Sequence, residues 1–103
     1  MDFNIARFDL VTMRLAVLCA ESGSLSAASR RAHCSVSTGS QRLSALEATL
    51  GKPLFIRDHR GLHLTEVGDL FVAHARLILS QLEVLKAQVS AVVREASEDP
   101  ALI

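Results

Sequence analysis

The sequence predicts a mainly α fold: a winged helix-turn-helix (three helices plus a short β-hairpin wing) followed by a long dimerisation helix. Three observations lead there. Two short helical segments lie between Ser24 and Leu50, with a break at Cys34. Two strand-like runs then flank a turn-rich tip, Asp58-His59-Arg60-Gly61. From Phe71 onward apolar residues recur at alternating spacings of 4 and 3, the mark of a helix that pairs with another helix.

The elements follow in order. Asp9 to Ser22 reads as the first helix, with Asp9 as N-cap, Gly23 just past its end, and Leu10, Met13, Val17 and Ala20 as its inward stripe. Ser24 and Ser35 are N-caps for the next two helices, each offering a side-chain oxygen to an orphan backbone N–H. The first of these runs to His33 and is small and cationic. In the second, Gly39, Leu43, Leu46 and Leu50 share one face, while Ser, Thr, Gln and Arg occupy the other near its start. Gly51 ends it as a left-handed cap, and Lys52-Pro53 forces an extended exit. Residues 54–57 and 62–64 form the wing, and Thr65 caps the last helix with Glu66 in its first turn. The pattern offers the helix at 36–50 to a DNA groove.

The last helix, about 66–97, is too long for so small a core to cover. Val67, Leu70 and Phe71 are expected to lie on the domain itself. The seam Phe71, Ala75, Ile78, Leu82, Leu85, Val89, Val92 and Ala96 continues well beyond it. Each large aliphatic side chain left wet forgoes about 1.5–3 kcal/mol, so Ile78, Leu82, Leu85, Val89 and Val92 predict a homodimer. The chain therefore divides into a winged helix-turn-helix at 1–65, a linker or dimerisation helix at 66–97 and a hinge stub at 98–103, where Glu98-Asp99-Pro100 breaks the helix.

Charge is distributed to match. The chain of 103 residues has zero formal net charge, yet residues 26–63 carry six cationic and two anionic side chains plus three histidines. The flanks at 1–25 and 64–103 are net negative. Positive charge thus concentrates on the helix-turn-helix and wing, where a polyanion would bind. One core fits in this length. No apolar run reaches the roughly 18–20 residues of a membrane span, and the first residues do not form a secretion signal, so a cytoplasmic protein is expected.

Taken together, Gly23-Ser24-Leu25, Ala28, His33, Ser35, Ser37, Ser40, Leu46-Glu47, Leu50-Gly51, Leu54-Phe55, Arg57, Arg60-Gly61, Leu64-Thr65 and Gly68 resemble the N-terminal winged helix-turn-helix of LysR-type transcriptional regulators. The resemblance covers about residues 9–97. It implies a bacterial regulator binding double-stranded DNA at interrupted dyad operators, as a homodimer or tetramer paired through a linker helix. A larger effector domain that senses a small molecule follows the hinge in that family and is absent here, which implies a DNA-binding fragment or a naturally short protein. The sequence departs from the family at four core positions: Ser29 replaces a second Ala, Ala32 a Leu, Ala16 an aromatic, and Gly39 an Ala, Val or Leu. These changes leave the core smaller or more polar, Gly39 alone costing about 1 kcal/mol in helix propensity, and predict a marginal domain that leans on dimerisation. Val36 stands in place of a usual Gln.

Chemistry and motif position assign the DNA-facing residues. Ser35 and Ser37, with the helix N-terminus, offer donors to phosphate. Val36 can touch a thymine methyl. Ser40, Gln41 and Arg42 fall within reach of base edges, Gln suiting adenine and Arg suiting guanine or phosphate. Arg30 is expected over the backbone, Arg57 on the wing, and Arg60 at its tip toward the minor groove. Cys19 and Cys34 read as buried, reduced thiols, and the cysteines and histidines lack metal-ligand spacing. No nucleophile elbow and no phosphate-cradling glycine loop is present, so neither catalysis nor a cofactor is expected. The competing class is a protein-interaction adaptor, which would reuse the winged helix and the coiled-coil helix to bind protein.

Overall fold

Capping side chains set the helix boundaries. The computed structural model describes residues 5–98. After a 3-10 turn at Ile5–Arg7 come α1 (Leu10–Ser22), α2 (Leu25–Arg31), α3 (Val36–Leu50), β1 (Phe55–Asp58), β2 (Gly61–Leu64) and α4 (Glu66–Glu98). Asp9 Oδ1 accepts from Thr12 N at 2.7 Å, Ser24 Oγ from Ala27 N at 3.2 Å and Ser35 Oγ from Thr38 N at 3.1 Å. Thr65 Oγ1 accepts from Gly68 N at 2.9 Å and donates to Pro53 O at 2.7 Å, tying the start of α4 to the exit from α3. Gly51 ends α3 at φ 77°, a backbone shape that L side chains rarely adopt, and its N–H closes the helix on Glu47 O. The break after α2 comes earlier than the sequence implies. That helix stops at Arg31, and His33 takes the left-handed turn at φ 59°.

The wing is an antiparallel pair in the register Phe55 with Leu64, Ile56 with His63, Arg57 with Leu62 and Asp58 with Gly61. Leu62 N donates to Gly23 O at 3.0 Å, which docks the hairpin on the turn between α1 and α2.

Helix α1 runs through the centre, packed by α2, α3, α4 and β2. Its buried residues are Thr12, Leu15, Ala16, Val17, Leu18 and Cys19, a correction to the expected stripe, in which Leu10 is exposed and Met13 and Ala20 are half-buried. An amphipathic reading assumes one wet face; a helix enclosed from several sides has none over its middle turns. Leu25 and Ala28 of α2, Leu43 and Leu46 of α3, Leu54, and Val72 and Ala75 of α4 complete the core.

Helix α4 has 33 residues, about 50 Å at 1.5 Å per residue, and stretches the molecule to 61 Å in its longest dimension. Val72 and Ala75 are its anchors, at 1% and 2% exposure. Leu70, expected against the domain, faces solvent instead, and Ala75, expected in the seam, belongs to the core. Toward its far end no other described residue covers the helix: Ile78, Leu85, Val89 and Val92 are exposed and Leu82 is half-buried. The proposed hinge beyond Glu98 lies outside the described residues.

Candidate nucleic-acid interface

The buried residues of α3 fix what its other side presents. Gly39, Leu43 and Leu46 face the core. At 3.6 residues per turn, Ser37, Ser40 and Gln41 then fall on the side turned away from it, with Val36 and Arg42 flanking them. All five are exposed. The start of α3 thus offers hydroxyls, an amide and a guanidinium to solvent, with a methyl-bearing Val36 at the edge.

Ser35 has a more local role than a free phosphate donor. Its hydroxyl donates to Thr38 Oγ1 at 3.0 Å while accepting from Thr38 N. The first-turn N–H groups and Ser37 are what remain to meet an anion there.

The wing comes to the same side. A groove of about 280 Å³ lies between Ser24 and Ser26 at the start of α2, Val36 at the start of α3, and Arg57, His59 and Leu62 of the hairpin. Ser26 and His59 are exposed beside the predicted residues, although no sequence signal singled them out. Only the docking of the hairpin on Gly23 brings them together.

The cations differ in their freedom. Arg30, Arg42 and Arg57 are exposed and form no ion pair among the described residues. Arg31 pairs with Glu21 at 3.2 Å. At the wing tip Asp58 gathers three groups: it accepts from Arg60 N at 2.8 Å, meets His63 Nε2 at 3.1 Å, and lies 3.6 Å from the Arg60 guanidinium. The Arg60 backbone amide, with help from His63, holds the Asp58 carboxyl below its ordinary range. Arg60 thus has a carboxylate beside it while most of its side chain stays in solvent.

One half-buried residue of α3 turns its carboxylate inward to the backbone. Glu47 Oε2 accepts from Leu54 N at 2.6 Å, a charge-assisted bond that clamps the last turn of α3 to the residue just before β1. The Leu-Glu-x-x-Leu-Gly-x-x-Leu pattern carries that clamp in sequence, but the donor is seven residues away and only the fold shows it.

Three helices with a hairpin docked on the turn between the first and second, across a groove from the starts of the second and third, define a winged helix-turn-helix. A family model describing bacterial regulatory helix-turn-helix proteins of the lysR family matches residues 10–69, and the chain belongs to that family. It is 38% identical over 82 residues to the HTH-type transcriptional regulator ClcR of Pseudomonas putida, covering 80% of this chain and 28% of that protein. It is 37% identical over 78 residues to the HTH-type transcriptional regulator IlvY of Escherichia coli K12, covering 76% of this chain and 26% of that one. Among solved structures, the CbnR_DBD-DNA complex matches with TM-score 0.75 and 33% identity, over 82% of this chain and 98% of that one. Full-length LysG from Corynebacterium glutamicum gives TM-score 0.77 and 30% identity, over 84% of this chain and 30% of that one. The chain thus spans less than a third of the length of these curated relatives. No helix among the described residues is long and apolar enough to cross a membrane.

Proposed function

We propose that this chain is the operator-binding end of a bacterial transcriptional regulator, acting in the cytoplasm without catalysis, with α3 in the major groove and the wing at 54–64 on the backbone and minor groove. The observation that carries this reading is the division of α3. Its core face is closed by Gly39, Leu43 and Leu46, and the exposed side holds Ser37, Ser40, Gln41 and Arg42 with unpaired cations to either side. Ser40, Gln41 and Arg42 read base edges, Val36 meets a thymine methyl, and Ser35, Ser37, Arg30 and Arg57 position the backbone. Arg60 exchanges Asp58 for phosphate or minor groove.

Two copies bind a dyad through α4. The outer half of the helix carries the bare stripe Leu85, Val89 and Val92. The inner half borders an apolar groove of about 550 Å³ lined by Phe8, Leu50, Phe71 and Ile78 among others. Antiparallel pairing lays each outer stripe over the partner's inner groove and buries both at once. A small-molecule effector would act only through a further domain.

Selection of duplexes from a random library at near-physiological salt tests the reading. An interrupted palindrome is the expected product, and its spacing gives the separation of the two recognition helices. Affinity should fall by orders of magnitude between 50 and 200 mM salt if about 6–10 phosphates are contacted. No enrichment, and no binding even at low salt, would put the adaptor reading in its place.

A further inference from the structure

Where α2 crosses α3, the chain brings together two of its departures from the family pattern, Ser29 and Gly39. Both are buried, Ser29 at 1% exposure. Ser29 Oγ has no hydrogen-bond partner among the described residues. A Cβ built on Gly39 would collide with that same oxygen, with Ser29 Cβ at 3.5 Å and Leu25 Cδ1 at 3.6 Å behind it. The hydroxyl therefore occupies the space that any other residue at 39 would need. Each residue is unfavourable alone: an orphan buried hydroxyl is destabilising, and glycine weakens a helix interior. Together they close-pack.

We propose that Ser29 and Gly39 form an interlocked pair, hydroxyl knob and glycine hole, that sets the seat of α3 on α2 and so acts as a positioning element for operator recognition. The inference rests on the DNA-binding reading. Ser40, Gln41 and Arg42 follow Gly39 directly, so a displacement of the backbone at 39 is passed to the three residues assigned to base edges. The pair touches no DNA itself; it works through its neighbours.

The test is a double-variant cycle on the full 103-residue chain: Ser29→Ala, Gly39→Ala and both together. Thermal melts report the interlock, and the ratio of affinities for the selected site and for random duplex, taken well below every Tm, reports the positioning. Gly39→Ala alone should lower Tm by about 4–8 °C and cut the affinity ratio about tenfold. Ser29→Ala alone removes the knob and the unsatisfied hydroxyl together, so Tm should hold or rise slightly while the affinity ratio falls several-fold. In the double variant the added methyl takes the vacated space, so Tm should return to or above that of the parent and the affinity ratio should recover.

Additive effects in the melts would overturn the interlock, as would a double variant as damaged as Gly39→Ala. A lower Tm with an unchanged affinity ratio would overturn the positioning role and leave only packing. If the parent chain binds no DNA, the DNA reading and the positioning role fall together, while the melts still decide whether the two residues interlock.

Discussion

The winged body and the outer half of α4 handle apolar surface in opposite ways. The body encloses most of its own: Leu15, Leu46, Leu54 and Val72 are at most 2% exposed, and what it shows around α3 and the wing is mainly polar and cationic, with Val36 and Ile56 the exposed apolar exceptions. Leu85, Val89 and Val92, on the same helix as Val72, are each more than half exposed. One continuous helix therefore has an inner half enclosed within the chain and an outer half whose apolar stripe stays bare, the surface proposed above to meet a second copy. The difference teaches that one helix can serve two ends: under the proposed pairing, Val72 acts on the fold of the body, while Leu85, Val89 and Val92 act on dyad affinity and only indirectly on the body's stability.

The comparison breaks most severely at Val72. Val72→Asp places a carboxylate in the closed core at an uncompensated cost of several kcal/mol, comparable to the whole stability of a small domain. The expected outcome in circular dichroism is loss of cooperative melting. A cooperative transition near the parent Tm would mean that the inner half of α4 does not belong to the body.

The corresponding change on the outer half should spare the fold. With Leu85→Asp and Val89→Asp combined, sedimentation equilibrium should show a monomer. Affinity for a dyad site should fall about 100-fold or more through lost bivalency, while the body still melts cooperatively, at a Tm lowered by the loss of its partner. A variant that remains dimeric would move the partner surface elsewhere, for instance to Leu70, Leu77 and Val84, which are also exposed.

Within the body, Arg42 and Arg57 should differ in kind. Arg42→Ala is expected to cost about 1–3 kcal/mol per half-site and to relax base preference at one position. Arg57→Ala should weaken all sequences alike and reduce the salt slope by about 1 per half-site. Titrations across salt on specific and random duplexes separate the two, and identical behaviour would sink the division between reading and positioning.

The smallest effect concerns pH and belongs to the body alone. Burial pushes the Cys19 thiol up to about 11 from an ordinary 9.0, with Arg57 acting weakly the other way. Below pH 9 the thiol is protonated whether the chain is folded or not, so it adds no pH dependence. Between 9 and about 11 only the unfolded chain releases the proton, so stability falls as pH rises. Urea melts across that window should show a shallower decline for Cys19→Ala than for the parent. Equal declines would mean that Cys19 ionises as readily folded as unfolded.

Much of this was legible from local chemistry. Asp9, Ser24, Ser35 and Thr65 cap the helices they were expected to cap, because a cap depends on residues within three positions of itself. The inward face of α3 was equally readable, since that helix has one wet side. The stripe of α1 was not, because a central helix loses the polar face on which periodicity depends. The break at His33 rather than Cys34 was hidden for another reason: a left-handed non-glycine residue has only a weak signature. The nine residues expected to face DNA are all exposed, yet the sequence did not reveal that Arg60 is held by Asp58 or that Ser35 is engaged by Thr38.

The sequence by itself determined the order of helices and hairpin, their caps, the concentration of positive charge and the existence of an apolar seam too long for one domain. These follow from spacing and from side chains acting on nearby backbone. Tertiary structure alone decided which seam residues are enclosed, that Glu47 clamps α3 to Leu54 at the entrance to the wing, and that Ser29 fills the space beside Gly39. The physical reason is the same in each case. Periodicity states that a face must be covered, while what covers it is set by contacts between segments distant in the chain.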